Sequence, residues 1–170
     1  MLEENLIYQI LKEYLREYNW LILGGEPPGG TNHYPVIEIR DPLNLRKGSK
    51  GSKKIDLVAF KSSFFLLIEL KHSYSWSDIY KLNELINNPS GRQTFLNALL
   101  AKGIMKDNNI SIDYQQYIIS SKYMIKAVGY NTSTKLAPAD FISFLIDDTS
   151  ISPHFGTQIA EEVKMLFTHF

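Results

Sequence analysis

Residues 54–71, KIDLVAFKSSFFLLIELK, constrain this chain more than any other stretch. Two apolar runs, each long enough for a strand, are separated only by Lys61-Ser62-Ser63, which predicts an antiparallel hairpin. Each run carries charge where a buried strand has no use for it. Asp56 stands between Ile55 and Leu57, and Glu69 and Lys71 flank Leu70. Side chains alternate along a strand, so Asp56, Val58 and Phe60 share one face of the first run, and Leu67, Glu69 and Lys71 share one face of the second. A register that lays those faces together brings three charged groups to one end of the sheet.

Burying a lone carboxylate is costly, so such a group is paired, hydrogen-bonded or bound to a cation. Two acids against one lysine leave a net negative cluster. That suits a hard divalent cation such as Mg²⁺, which takes oxygen ligands and keeps several waters. Asp56, Glu69 and the carbonyl of Leu70 are the ligands this reading assigns. Lys71 would then lower the pKa of a bound water or stabilise charge developing on a phosphate. The plainer alternative is a strand-end salt bridge, with Glu69 and Lys71 reaching solvent. Five apolar residues, Phe64 to Ile68, precede Glu69 and place it inside the sheet, and Asp56 lies thirteen positions upstream on the preceding run. Both features favour the cation.

The rest of the chain predicts the frame around this hairpin. Leu2, Leu6, Ile7, Ile10, Leu11, Tyr14 and Leu15 give residues 2–18 the spacing of an amphipathic helix. NWLILGGE reads as a short strand halted by the turn-rich GGEPPGG, and PVIEIRD as a further extended piece. After the hairpin, SWSDIYKLNELINN predicts a helix with Ser75 or Ser77 as N-cap, and PSGRQTFLNALLAKGI a second that ends near Gly103. YMIKAVGYN, 123–131, reads as a strand. PADFISFLIDD is read as a short helix, and Phe155, Ile159, Val163, Leu166 and Phe167 as one stripe of a C-terminal helix. That stripe is either core packing or a dimer surface. The order of elements implies a three-layer α/β arrangement around a mixed sheet, in one domain spanning 1–170.

Composition narrows the function classes. A chain of 170 residues, 44% hydrophobic and 12% aromatic, is large enough for one proper core. With no cysteine there is no disulfide, no thiolate zinc site and no cysteine nucleophile. The N-terminus lacks the basic and apolar regions of a signal peptide, and no apolar run approaches the roughly 18 residues of a membrane span. The expectation is a soluble, cytoplasmic protein with no membrane partner. Lys and Arg balance Asp and Glu at 18 each, so the chain lacks the overall basicity common in nucleic-acid binders. The basic residues are nevertheless uneven, with six of the 18 falling between Arg40 and Lys54. Arg46, Lys47, Lys50, Lys53 and Lys54 form either a solvated loop or an arm that contacts phosphates.

Asp56, twelve intervening residues, then Glu69-Leu70-Lys71 resembles the PD-(D/E)XK nuclease superfamily. The resemblance spans roughly 3–130 and is sharp only over 54–71. It implies a restriction-endonuclease-like fold, with a mixed sheet between helices. It further implies that Asp56 and Glu69 are metal ligands and Lys71 the catalytic lysine, with Mg²⁺ as cofactor and Mn²⁺ as a substitute. Ile55 stands where the family usually has proline. Members often add an acid from the first helix, which points to Glu3, with Glu4 as its neighbouring rival; Glu13 falls nearer the solvent face. Acids at a helix start also complement the helix dipole without any further role. Glu26 and Glu38 are weaker rivals, Glu38 joining the cluster only if its segment pairs with the sheet. Gln93 resembles the helix glutamine of the RecB-type exonuclease branch, but Asn97 stands where that branch has tyrosine. No pair of the four histidines has metal-ligand spacing, so a zinc or HNH mechanism has no support.

The resemblance implies a Mg²⁺-dependent DNA endonuclease, acting as a homodimer because cutting two strands calls for two sites. The extra segment 26–53 and the C-terminal elements favour a restriction-type, sequence-reading enzyme. The archaeal Holliday-junction resolvases share the Asp-x12-Glu-x-Lys spacing and supply the structure-selective alternative. A non-catalytic DNA- or partner-binding module of the same fold, and an α/β domain whose charges form a salt-bridge network, are the readings from other classes.

Overall fold

A computed structural model describes residues 2–25, 34–40, 52–132 and 135–169. Helix α1 (Glu4–Glu17) leads into strand β1 (Leu21–Gly24). Strands β2 (Glu38–Arg40) and β3 (Ser52–Lys54) pair as a small antiparallel ribbon. The hairpin follows as β4 (Leu57–Lys61) and β5 (Phe64–Lys71). Ser62 and Ser63 adopt φ of 50° and 74°, the left-handed conformation of a two-residue turn whose twist suits the flanking strands.

Helices α2 (Trp76–Ile86), α3 (Pro89–Ala101), α4 (Ile104–Asp107) and α5 (Tyr114–Ile119) come next. Asn88 caps α3, its side chain accepting from the Gly91 N–H at 2.8 Å, with Pro89 at the first helical position, where its missing N–H costs nothing. The chain closes with β6 (Met124–Tyr130), β7 (Phe141–Ile146), β8 (Ile151–Phe155), a short α6 (Glu161–Lys164) and a 3₁₀ turn over Met165–Phe167.

The main sheet runs β1-β4-β5-β6-β7-β8. Its β1–β4, β4–β5 and β7–β8 pairs are antiparallel, while β5–β6 and β6–β7 are parallel. The central strand β5 is apolar on both faces over Phe64–Ile68, as expected for a strand covered on both sides. Its alternate residues divide between two cores. Phe65 and Leu67 pack with Val58 and with Ile79, Leu82, Phe95 and Leu99 of α2 and α3. Leu66, Ile68 and Leu70 pack with Ile7, Leu11 and Leu15 of α1 and with Val163, Leu166 and Phe167. Helices thus cover both faces of a mixed sheet. Each fully buried Leu or Ile contributes about 1.5–3 kcal/mol, so these stripes, not helix propensity, hold α1 and α2 in place.

Three expectations are corrected. Residues 141–146, read as a helix, form β7 between β6 and β8. FISFLI is apolar on both faces because the strand is covered on both, and such a run has no periodicity to tell it from a buried helix. The C-terminal stripe is not one helix: Phe155 ends β8, and the helical turns begin only at Glu161. Pro153 is tolerated because β8 is an edge strand. Val163, Leu166 and Phe167 are buried in the α1-side core, so that part of the stripe is core packing. Finally, 54–60 is not one strand. The chain leaves β3 of the ribbon, bends at Ile55-Asp56 and enters the main sheet at Leu57.

Candidate functional site

That bend builds the site. The β4–β5 ladder is in register from Lys61↔Phe64 to Leu57↔Ile68, and there β4 ends. Strand β5 continues three residues further, through Glu69, Leu70 and Lys71, and among the described residues no strand lies beside it on that side. Side chains complete the ladder. The Asp56 N–H donates to Glu69 Oε2 at 3.0 Å, and the Leu70 N–H donates to Asp56 Oδ2 at 2.8 Å. The two residues are thereby tied crosswise, each carboxylate to the other's backbone, by the bend at Asp56 rather than by strand alternation. Gly25 fits against the Asp56 backbone, where a Cβ would overlap the Asp56 carbonyl.

The electrostatics of the pair are strained. Glu69 is only 2% exposed. Burial, reinforced by the charge of Asp56, pushes its carboxyl up to about 8, against the opposing pull of Lys81. Burial likewise raises Asp56, opposed by the Leu70 N–H, by a hydrogen bond between the two carboxyls, and by Lys81 and Lys71. Two carboxyl groups within hydrogen-bonding reach of each other do not ionise together without cost.

Helix α2 adds two residues that the sequence reading passed over. Lys81 forms an ion pair with Glu69 and donates to the Lys54 carbonyl. Asp78 is buried at the start of α2. Burial raises its carboxyl, Lys71 opposes that rise, and Asp56 adds to it. Asp78 also stands three residues after the N-cap Ser75 and bonds its side chain, which opposes the rise. The signal in the sequence was the helix SWSDIYK placed straight after the Glu-x-Lys strand, with Asp78 and Lys81 one turn apart.

Lys71 ends β5 with its side chain exposed, and among the described residues it has no ion pair, although its charge acts on Asp56 and Asp78. Strand alternation turns its neighbour His72 toward α1. There Glu4 Oε1 stands 3.9 Å from His72 Nε2, and the Leu2 N–H donates to Asn131 Oδ1 at 2.9 Å, fixing the start of α1 at the β5 end of the sheet. Of the two first-helix acids, Glu4 is therefore the one brought to His72. Glu3 is exposed at the N-cap, its carbonyl accepting from the Leu6 and Ile7 N–H groups.

Glu38 lies on the ribbon opposite Lys54 rather than in the main sheet. Gln93 is exposed on α3. Lys54 is exposed, only the backbone of Lys53 is described, and Arg46, Lys47, Lys50 and Glu26 lie outside the described residues. Helix α2 also exposes Trp76 and Tyr80, 62% and 66% accessible, one turn apart, with Lys135 over the Trp76 ring.

A second buried lysine, Lys126 on β6, belongs to a different cluster. It donates to Asn83 Oδ1 at 2.8 Å and Asn87 Oδ1 at 2.9 Å and pairs with Asp140, so its charge is fully met by α2 and the β7 approach.

The donor set suits a hard cation. Each carboxylate uses one oxygen for the ladder, Asp56 Oδ2 and Glu69 Oε2, which leaves Asp56 Oδ1 and Glu69 Oε1 outside it. The Leu70 carbonyl points to the same side of β5 as its N–H, toward Asp56. All these donors are oxygens; burial raises both carboxyls, the charge of Asp56 adds to the rise of Glu69, and a divalent ion would offset both effects. No known family model matches the chain, and no curated protein matches it.

Proposed function

We propose that this chain is a divalent-cation-dependent DNA endonuclease of the restriction-endonuclease-like PD-(D/E)XK kind. One observation carries the reading: Asp56 and Glu69 oppose each other at the broken end of a buried hairpin, with Lys71 exposed beside them. Asp56, Glu69 and the Leu70 carbonyl would hold Mg²⁺, or Mn²⁺ in its place. The bound ion supplies a water acidic enough to attack a phosphodiester and a positive charge for the phosphate. Lys71 meets the phosphate oxygens and stabilises the charge that grows on them in the transition state. Lys54 and the basic residues Arg46, Lys47, Lys50 and Lys53 supply backbone contacts to DNA. Trp76 and Tyr80, exposed on α2, offer a stacking surface for bases. Cutting both strands of a duplex calls for two copies, so the working unit is a homodimer.

The Glu69–Lys81 pair and the side-chain ladder favour a second reading, a structural ion network without catalysis. Supercoiled plasmid and branched DNA incubated with Mg²⁺, with wild type and Asp56→Ala in parallel, separate the two. Cleavage by wild type alone is expected, with discrete fragments for a sequence-reading enzyme and cleavage of branched DNA only for a structure-selective one. Intact DNA in every arm would leave the network reading.

A further inference from the structure

The two lysines at this site stand in different states. Lys71 is exposed and has no ion pair among the described residues, whereas Lys81 is engaged. Lys81 is on α2, 22% exposed, and its ammonium bridges Glu69 Oε1 and the backbone carbonyl of Lys54. Glu69 Oε1 is also the one oxygen of that carboxylate outside the hairpin ladder, since Oε2 accepts the Asp56 N–H. A cation shared by Asp56 and Glu69 through the oxygens left outside the ladder meets the one that Lys81 holds.

We propose that Lys81 and the divalent cation compete for Glu69, so that Lys81 is a built-in stand-in that the ion displaces. The inference rests on the metal-dependent reading above. Two features make displacement feasible. Lysine is a flexible point charge on a four-carbon stem, able to leave one carboxylate without moving its helix. Lys81 also lies at the edge of the site, more exposed than its partner, so its ammonium reaches water on leaving. Its bond to the Lys54 carbonyl breaks in the same movement, which ties ion binding to the end of β3 and thus to the ribbon. A purely structural tie would instead hold Lys81 in place whatever the ion.

The test uses the full chain. Wild-type protein is treated briefly with an amine-acetylating reagent, with and without saturating Ca²⁺, and labelling at each lysine is read by peptide mass spectrometry. Lys81 is expected to label several-fold faster with Ca²⁺, while Lys126, held by Asn83, Asn87 and Asp140, stays constant as the internal control. In parallel, Lys81→Met is expected to bind Mn²⁺ at least tenfold more tightly than wild type by calorimetry. If wild type binds Mn²⁺ but Lys81 labelling is unchanged or slower, the competition is overturned and the nuclease reading stands. If neither protein binds Mn²⁺ or Ca²⁺ while both are folded, the metal reading itself falls and the competition with it.

Discussion

Replacing Asp56 by asparagine should stabilise the protein while abolishing the proposed nuclease activity. The amide keeps the oxygen that accepts the Leu70 N–H and the backbone N–H that reaches Glu69, so the ladder is intact in shape. What is lost is one of two charges. Carboxylates about 4 Å apart repel by about 4 kcal/mol at an effective dielectric constant of about 20. Weakening a charge-assisted hydrogen bond to a neutral one returns about 1 kcal/mol of that. A net gain of about 2–3 kcal/mol is expected where both groups are ionised in the wild type, above pH 8. For a chain of this size that is about 4–12 °C in Tm.

The pH dependence follows from Glu69, whose carboxyl is raised from 4.5 to about 8 in the folded state. Between those values the folded protein holds a proton that the unfolded chain has released. Wild-type stability therefore falls as pH rises across the window. The advantage of Asp56→Asn should be full at pH 9 and nearly gone at pH 5. Thermal melts of both proteins at the two pH values, without divalent ions, measure it. A variant less stable than wild type at pH 9 would refute the argument, because the carboxylates would then be net-attractive members of an ion network with Lys71 and Lys81.

Further expectations follow from the same geometry. Lys71→Met should lower DNA cleavage at least 100-fold yet keep the Mn²⁺-induced rise in Tm if Lys71 meets substrate rather than the ion, as proposed; loss of both would assign it to ion binding. Gly25→Ala, whose Cβ would overlap the Asp56 carbonyl, should cost about 1–3 kcal/mol by overpacking and reduce cleavage by displacing Asp56; a variant with normal cleavage would show that the bend can shift without consequence. Arg92 is buried and donates to the carbonyls of Ile86 at 2.7 Å and of Tyr117 and Ile118 at 3.1 and 3.0 Å, joining α2 to α5. Arg92→Leu should cost about 3 kcal/mol in urea unfolding by leaving those carbonyls unmet, and a cost below about 1 kcal/mol would mean that water replaces the guanidinium.

How far the sequence reached depended on whether a feature was local. The hairpin, the meeting of Asp56 with Glu69 and the amphipathic α1 all follow from local patterns, and each agrees with the structure, although Asp56 lies at a bend rather than in the strand. Residues 141–146 failed because a strand covered on both faces loses its alternation. Asp78 and Lys81 were missed for another reason. A helical pattern says which side of α2 is apolar, but not which end of the sheet that helix crosses. Only the packing of Ile79 and Leu82 against the Leu67 face brings the polar flank of α2 over Glu69.

The break between β3 and β4 joins these observations. A continuous strand over 52–61 would have paired the backbone of Glu69 to Lys71, and carboxylates there would have been a cost with no return. Because the chain changes sheets at Ile55-Asp56, the end of β5 has unmet backbone groups, and the acids meet them. Hydrogen bonding alone does not call for acids, since asparagine and glutamine would complete the same ladder without mutual repulsion and without drawing in Lys81. The charge is thus surplus to the fold. In a site where each acid keeps one oxygen outside the ladder, that surplus is what the proposed cation would neutralise, and the stability of Asp56→Asn at high pH tests the repulsion on which the proposal rests.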